Sequence, residues 1–169
     1  MSTTAKLYSY DYSSAKSYIF ASAFITGNLL LPQLAHLVPN GGFIFLPIYF
    51  FTLIAAYKYG IKVGLLTAVL SPLINSLLFG MPMLALVPII MAKSTLLAVA
   101  AGFIAKKTGT ITMLNLVLVV LAYQIAGTSI EWIALGSLVA ALQDFRIGFP
   151  GMLLQIFGGY LFLKAISKV

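Results

Sequence analysis

The chain runs from Ser17 to Ile166 as a succession of apolar stretches, separated only by short clusters of glycine, proline and lysine. That pattern constrains the fold more than any other feature. Of its 169 residues 62% are hydrophobic and 8% charged, where a soluble domain is nearer half apolar and a quarter charged. A water-soluble fold of this length has too little interior to hide so much apolar surface. An all-α, polytopic membrane protein is expected, forming a single membrane domain over residues 1–169. There is no cysteine, which excludes thiolate metal sites and thiol chemistry. The formal net charge of +7 would also fit a nucleic-acid partner. The lysines, however, lie between the apolar runs, which points to membrane topology and to no nucleic acid.

Six spans are expected, since a membrane helix needs about 20 mostly apolar residues. They are Ser17–Val38, Phe43–Tyr57, Ile61–Phe79, Met83–Ala105, a fifth from near Ile111 that weakens around Gln124–Gly127, and Ile147–Ile166. Pro39-Asn40-Gly41-Gly42, Gly80-Met81-Pro82 and Lys106-Lys107-Thr108-Gly109 are the turn signals between them. Residues 128–146 read as an outer connection between helices 5 and 6, either an interfacial or a re-entrant segment. A seventh span there is the competing reading. It would place the two ends on opposite sides and spoil the charge pattern.

That pattern sets the orientation. With residues 1–15 as a cytoplasmic segment, Lys6, Lys16, Lys58, Lys62, Lys106, Lys107, Lys164 and Lys168 all fall inside, and both termini are cytoplasmic. Arg146 is the one basic residue outside, and Lys93 lies within a span. A multi-pass protein of a bacterial-type cytoplasmic membrane is expected.

Depth can then be assigned to the polar residues. Gln33, His36, Asn40, Asn75, Gln124, Glu131, Asp144, Arg146 and Gln155 all fall in the outer half or outer loops. Interhelical hydrogen bonding accounts for any one of them. Their collective bias to one side points to a cavity open to the outside. Lys93, ten residues beyond Met83, is expected about 15 Å down, near the middle of the bilayer. It either binds an anionic group of a ligand, pairs with Glu131 or Asp144, or is kept neutral by desolvation. His36 is a ligand contact or an interfacial residue, and a lone histidine makes no metal site. Trp132 is an interface anchor or a binding residue. Pro47, Pro72 and Pro88 are read as lying inside spans, where they part helices. Small-residue pairs Ser17/Ala21 and Ala23/Gly27 on the first helix, and Gly60/Gly64, mark close helix packing or a docking face.

No G-x-x-x-x-G-K-[ST], H-E-x-x-H or G-x-S-x-G motif is present, and one histidine with three acids supplies little for hydrolysis. No cofactor is expected. The inventory favours a non-enzymatic protein that binds a molecule and cannot energise its movement. A membrane scaffold without a ligand, a small stand-alone transporter and a membrane enzyme are the other classes.

Several segments carry a family resemblance. Phe43–Tyr57 followed by Gly60-Ile61-Lys62-Val63-Gly64-Leu65-Leu66 resembles the second and third helices of the substrate-binding S components of energy-coupling factor (ECF) transporters. Ser71-Pro72-Leu73, Gly80-Met81-Pro82-Met83 and Gly148-Phe149-Pro150-Gly151-Met152-Leu153-Leu154-Gln155 continue it, from about Ala23 to Val169. The resemblance implies a six-helix bundle that captures a vitamin or related micronutrient from outside. It also implies partners: a transmembrane coupling subunit and two cytoplasmic ATPases. The family's small-residue docking pattern on the first helix has Ser17/Ala21 and Ala23/Gly27 as its nearest equivalents here. Related sequences often carry an acid where this chain has Lys93, which favours an anionic ligand. Expected substrate-binding residues are Lys93, Asn75, His36, Asn40, Met81, Gln155, Arg146 and Trp132, with Phe43, Tyr49 and Met83 adding apolar surface.

Overall fold

The computed structural model describes residues 3–4 and 6–167, residues 3–4 by backbone alone. Lys168, part of the charge pattern above, lies outside the described residues. The chain is almost wholly helical. Five segments are long and apolar enough to cross a membrane: Ala15–Ala35, Ile61–Phe79, Leu84–Thr108, Met113–Leu135 and Phe149–Ile166. This is what an all-α membrane bundle requires. Leu30, Leu77, Phe103, Leu118, Ile125 and Leu161 are exposed on the outside of these helices. The bundle is therefore apolar on its surface as well as in its core, which suits lipid rather than water as the surrounding solvent.

Helix α1 (Ala15–Ala35) leads to a short α2 (Gly41–Phe45) and then α3 (Phe50–Tyr59). The expected continuous second span is thus broken. Pro47 excludes the right-handed helical conformation at the residue before it, and Leu46 instead takes a left-handed one, with φ +47°. A single 3-10 turn, Pro47–Tyr49, connects the break to α3. Although α3 has only 10 residues, it is the centre of the bundle, with Leu53, Ile54, Ala55 and Ala56 0% exposed. Helices α1, α4 (Ile61–Phe79), α5 (Val87–Thr108) and α10 (Gly159–Ile166) all pack on it. Gly64 of α4 lies so close to α3 that a Cβ there would be 2.4 Å from that of Ala56. The Gly60/Gly64 pair is internal packing.

Helix α6 (Met113–Leu135) does not end near Gln124–Gly127 but continues to Gly136, whose φ of +65° closes it. The outer connection is correspondingly shorter than 128–146. It holds two small helices, α7 (Leu138–Ala141) and α8 (Gln143–Arg146). The polar dip that reads as a span end is instead a buried face: Gln124, Gly127 and Thr128 are buried, one or two turns from Glu131 on the same side of α6. The last segment is α9 (Phe149–Leu153), a π turn at Leu154–Gly158, and α10. Of the three prolines expected inside spans, Pro72 is in the interior of α4 and Pro88 is within the span Leu84–Thr108, whereas Pro47 is not within an α-helix. Pro47 opens the 3-10 turn, Pro88 is in the first turn of α5, and Pro32 is within α1.

A buried polar network joins four helices in the middle of the bundle. The Asn28 side-chain amide donates to Thr52 Oγ1 (3.1 Å) and Ser71 Oγ (3.2 Å). Its Oδ1 accepts from the backbone N–H of Phe51 at 3.2 Å, a donor at the start of α3 that has no partner within its own helix. Ser94 of α5 donates to Thr52, and Asn75 donates to the Asn28 carbonyl at 2.9 Å. Each of these groups would be costly if left unpaired in an apolar interior.

At the opposite end from α2 and α7, the N-terminal segment is strapped to the bundle. Thr3–Thr4 (β1) pairs antiparallel with Thr110–Ile111 (β2). The Lys58 ammonium, buried at the end of α3, donates to the carbonyls of Lys6 (2.7 Å) and Ser167 (3.5 Å). Tyr8, Tyr10, Tyr59 and Phe20 stack beside it. Lys62 donates to Asp11 at 2.6 Å and holds that carboxyl below its ordinary range. The contact's contribution is present above the ordinary carboxylate value and is lost as pH falls through the lowered one. Both groups are exposed, so it is small.

Asn28→Leu removes the acceptor for Phe51 and both hydroxyl contacts. It is expected to cost about 2 kcal/mol, read as a lowered unfolding midpoint in detergent. Thr26→Val, at an exposed position of the same helix, is expected to change it by less than about 0.5 kcal/mol.

Candidate functional site

The ends of α1, α4 and α6, the starts of α2 and α5, and the α6–α9 connection surround a cavity of about 580 Å³. That volume is in the range of small-molecule sites. It lies at the end of the bundle away from Lys58, Lys62, Lys106 and Lys107. The local chain explains its walls. The backbone break at Leu46–Tyr49 leaves that stretch unable to fill the bundle as a regular helix would, and Leu46, Pro47, Ile48 and Tyr49 all line the space. Across from them are Met81, Pro82 and Met83 of the α4–α5 turn and Ile89 and Ile90 of α5. From the connection come Ala140, Gln143 and Asp144.

Three charged residues meet at this cavity. Lys93 Nζ is 2.8 Å from Glu131 Oε2 and 2.5 Å from Asp144 Oδ2. The three groups come from α5, α6 and α8. Lys93 is six residues from the start of α5, about 9 Å along it. Its stem runs along Gly127 of α6, where an added Cβ would be 2.8 Å from Lys93 Cγ. The position needs glycine because the lysine occupies the space of a side chain. The side chain of Lys93 is 3% exposed, against 17% for Glu131 and 12% for Asp144. The ammonium is thus tucked behind its two carboxylates. The pairing anticipated as one of three alternatives for Lys93 is present, with both acids at once. The ground for expecting an anionic ligand, an unpaired Lys93, is thereby removed.

Of the expected binding residues, Lys93, Asn75, His36, Asn40 and Met81 are brought together on the cavity wall, with Phe43, Tyr49 and Met83. Asn75 is buried and already engaged, donating to Asn28 and accepting from Gln33 at 3.3 Å. It therefore anchors the wall and has little capacity left for a ligand. His36 and Asn40 stand exposed at the rim. Gln155, Arg146 and Trp132 are not among the lining residues. Gln155 is buried in the π turn of the last segment, accepting from Tyr123 at 2.8 Å. Arg146 and Trp132 are exposed on the outer surface. Trp132 is one residue past Glu131, and the helical turn of about 100° per residue swings it away from the cavity. Glu131, Asp144, Gln143, Leu46, Pro47 and Ile48 are among the wall residues not expected as binding groups. Asn28, which braces the wall through Asn75, was not singled out; its place among Thr, Ser and Asn residues on neighbouring spans was the available signal.

On α1, Ser17 and Ala21 are buried within the chain, and the Ser17 hydroxyl donates to the Asp11 carbonyl at 2.6 Å. They form no outer face. Ala23 is exposed, and Gly27 is half-buried against the Phe51 ring. Among the described residues no group of three or more His, Cys, Asp or Glu is placed to hold a metal ion.

No family model, curated protein or solved structure matches the chain.

Lys93→Met leaves two carboxylates facing each other in a largely buried site. It is expected to destabilise the protein by about 3 kcal/mol, at the lower end for a broken buried pair because both acids keep some exposure. Adding Glu131→Gln and Asp144→Asn to the same chain is expected to restore most of the loss. Unfolding midpoints of the single and triple variants in detergent measure the difference.

Proposed function

We propose that this chain is a substrate-capturing membrane subunit of an ECF-type importer. It takes up a vitamin-sized molecule in the cavity between the α1–α3, α4–α5 and α6–α9 connections. In this reading the broken Gly41–Tyr59 segment counts as the sixth pass, both ends are cytoplasmic, and the cavity opens to the outside of a bacterial cell membrane. A transmembrane coupling subunit and two ATPases supply the energy. The protein itself binds and releases and performs no catalysis.

The observation that carries this reading is the position of the cavity. It lies at the end of the bundle opposite the lysine-rich turns, and the positive-inside bias of membrane proteins supports a mouth that faces outside. The lining supports it: an apolar and aromatic wall from Phe43, Tyr49, Met81, Met83 and Ile90, with a few polar groups converging at one side, is the usual composition of a small-molecule site. The sequence lacks a nucleotide-binding loop, which agrees with a subunit driven by partners. Of the small-residue pairs on α1, Ala23 is exposed and Gly27 half-exposed, which leaves that pair the more accessible to a partner helix.

Small molecules extracted from the purified protein and identified by mass spectrometry test the proposal. One compound near one equivalent is expected. Ile90→Trp, which fills the cavity from α5, is expected to lose it while eluting as the parent protein does. A chain that carries no small molecule and binds none of a vitamin panel is a scaffold and not a capture subunit.

A further inference from the structure

We infer that the cavity selects a ligand bearing a positively charged nitrogen, an organic ammonium or amidinium group attached to an apolar or ring body. The inference rests on the reading of the cavity as a capture site and specifies what that site takes.

The charges on the cavity wall carry it. The chain holds ten basic residues and three acidic ones, with a formal net charge of +7. Two of those three acids, Glu131 and Asp144, are nevertheless at this one cavity, against a single lysine. No other lining residue is an aspartate, glutamate, lysine or arginine. The wall therefore has one excess negative charge in a site of low dielectric, where an unbalanced charge is strongly disfavoured.

Geometry determines which charge a ligand meets first. Lys93 is held from behind by the notch at Gly127, and its ammonium is directed at Glu131 Oε2 and Asp144 Oδ2. Glu131 Oε1 and Asp144 Oδ1 receive no hydrogen bond from any described residue, and both side chains are more exposed than that of the lysine. The groups that face an incoming ligand are thus carboxylate oxygens with free lone pairs. A ligand ammonium or amidinium donates to them and balances the excess charge, which makes charge-assisted bonds of the stronger kind. A ligand carboxylate or phosphate encounters two like charges before it reaches the lysine.

The remaining walls fit the rest of such a molecule. Phe43 and Tyr49 supply aromatic rings, and Met81 and Met83 supply polarizable thioethers. Aromatic faces attract cations as well as rings. A cavity of about 580 Å³ with this lining is far too large and apolar for a bare metal ion, so the cation is an organic one.

Matched probes test the inference on the purified full-length chain in detergent. Phenyl, indole and pyridine rings each carry an aminoethyl, a hydroxyethyl or a carboxyethyl group, and binding is measured by calorimetry and thermal shift. The aminoethyl member of at least one ring series is expected to bind ten-fold or more tighter than its hydroxyethyl analogue, with the carboxyethyl member weakest. Glu131→Gln, close in shape to the parent, is expected to abolish most of that ten-fold preference with unchanged elution and a retained folded transition. A carboxyethyl probe that binds as well as its amine overturns the charge assignment and leaves the capture reading intact. So does an amine preference that Glu131→Gln and Asp144→Asn both leave unaltered. Failure of all nine probes to bind overturns the capture reading itself, and the inference with it.

Discussion

A lysine in an apolar bundle must have its charge answered, and the way Lys93 is answered organises one whole end of this protein. Its two carboxylates come from different places in the chain. Glu131 is on the last turns of α6, and Asp144 is on a four-residue helix in the connection beyond. A helix that short has no stability of its own, so its position depends on what it touches. Asp144 fastens it to α5, and the connection is thereby drawn across the mouth of the bundle. The same lysine needs room beside α6, and Gly127 provides it. One buried charge thus fixes the register of α5 against α6, the seat of α8 and one wall of the cavity.

The other wall follows from a backbone constraint. Proline at position 47 prevents the second segment from being a regular helix throughout, and the interruption at Leu46 sets four successive residues, Leu46 to Tyr49, along the cavity wall. The rest of the segment, α3, is then short enough to be enclosed on every side. Its first turn lacks intrahelical acceptors, and Asn28 of α1 answers one of these donors. Cavity and core are therefore two results of the same interruption. The break opens the first, and the hydrogen bonds that repair it hold the second together.

Much of this was legible in the sequence because lipid-embedded helices advertise themselves by length and apolarity. The turns at Pro39–Gly42, Gly80–Pro82 and Lys106–Gly109 were readable for the same reason. So was the gathering of His36, Asn40, Asn75, Met81 and Lys93, since depth within a span follows from counting residues along it. What counting does not give is azimuth. Trp132 and Arg146 have the right depth and the wrong side, and Gln155 faces Tyr123 and not the cavity. Averaged hydropathy also misleads where a helix turns a polar face inward. Gln124, Thr128 and Glu131 lower the average of α6 as a loop would, although together they form a single stripe that is turned inward. The pairing partner of Lys93 was predictable in kind, because few acids exist in the chain, but its consequence for ligand charge required the geometry.

The clasp at the far end has a bearing on how the chain can be rewired. The ammonium of Lys58 holds the carbonyls of Lys6 and Ser167 at once, so residues near the beginning and near the end of the sequence share one anchoring point. A short linker from Ser167 to Lys6 would leave the packing of the helices around α3 unchanged. New ends could then be opened in the α4–α5 turn, where the cavity wall is made of loop and not of packed helix. Between Lys6 and Ser167 the helices are thus arranged more as a ring than as a line.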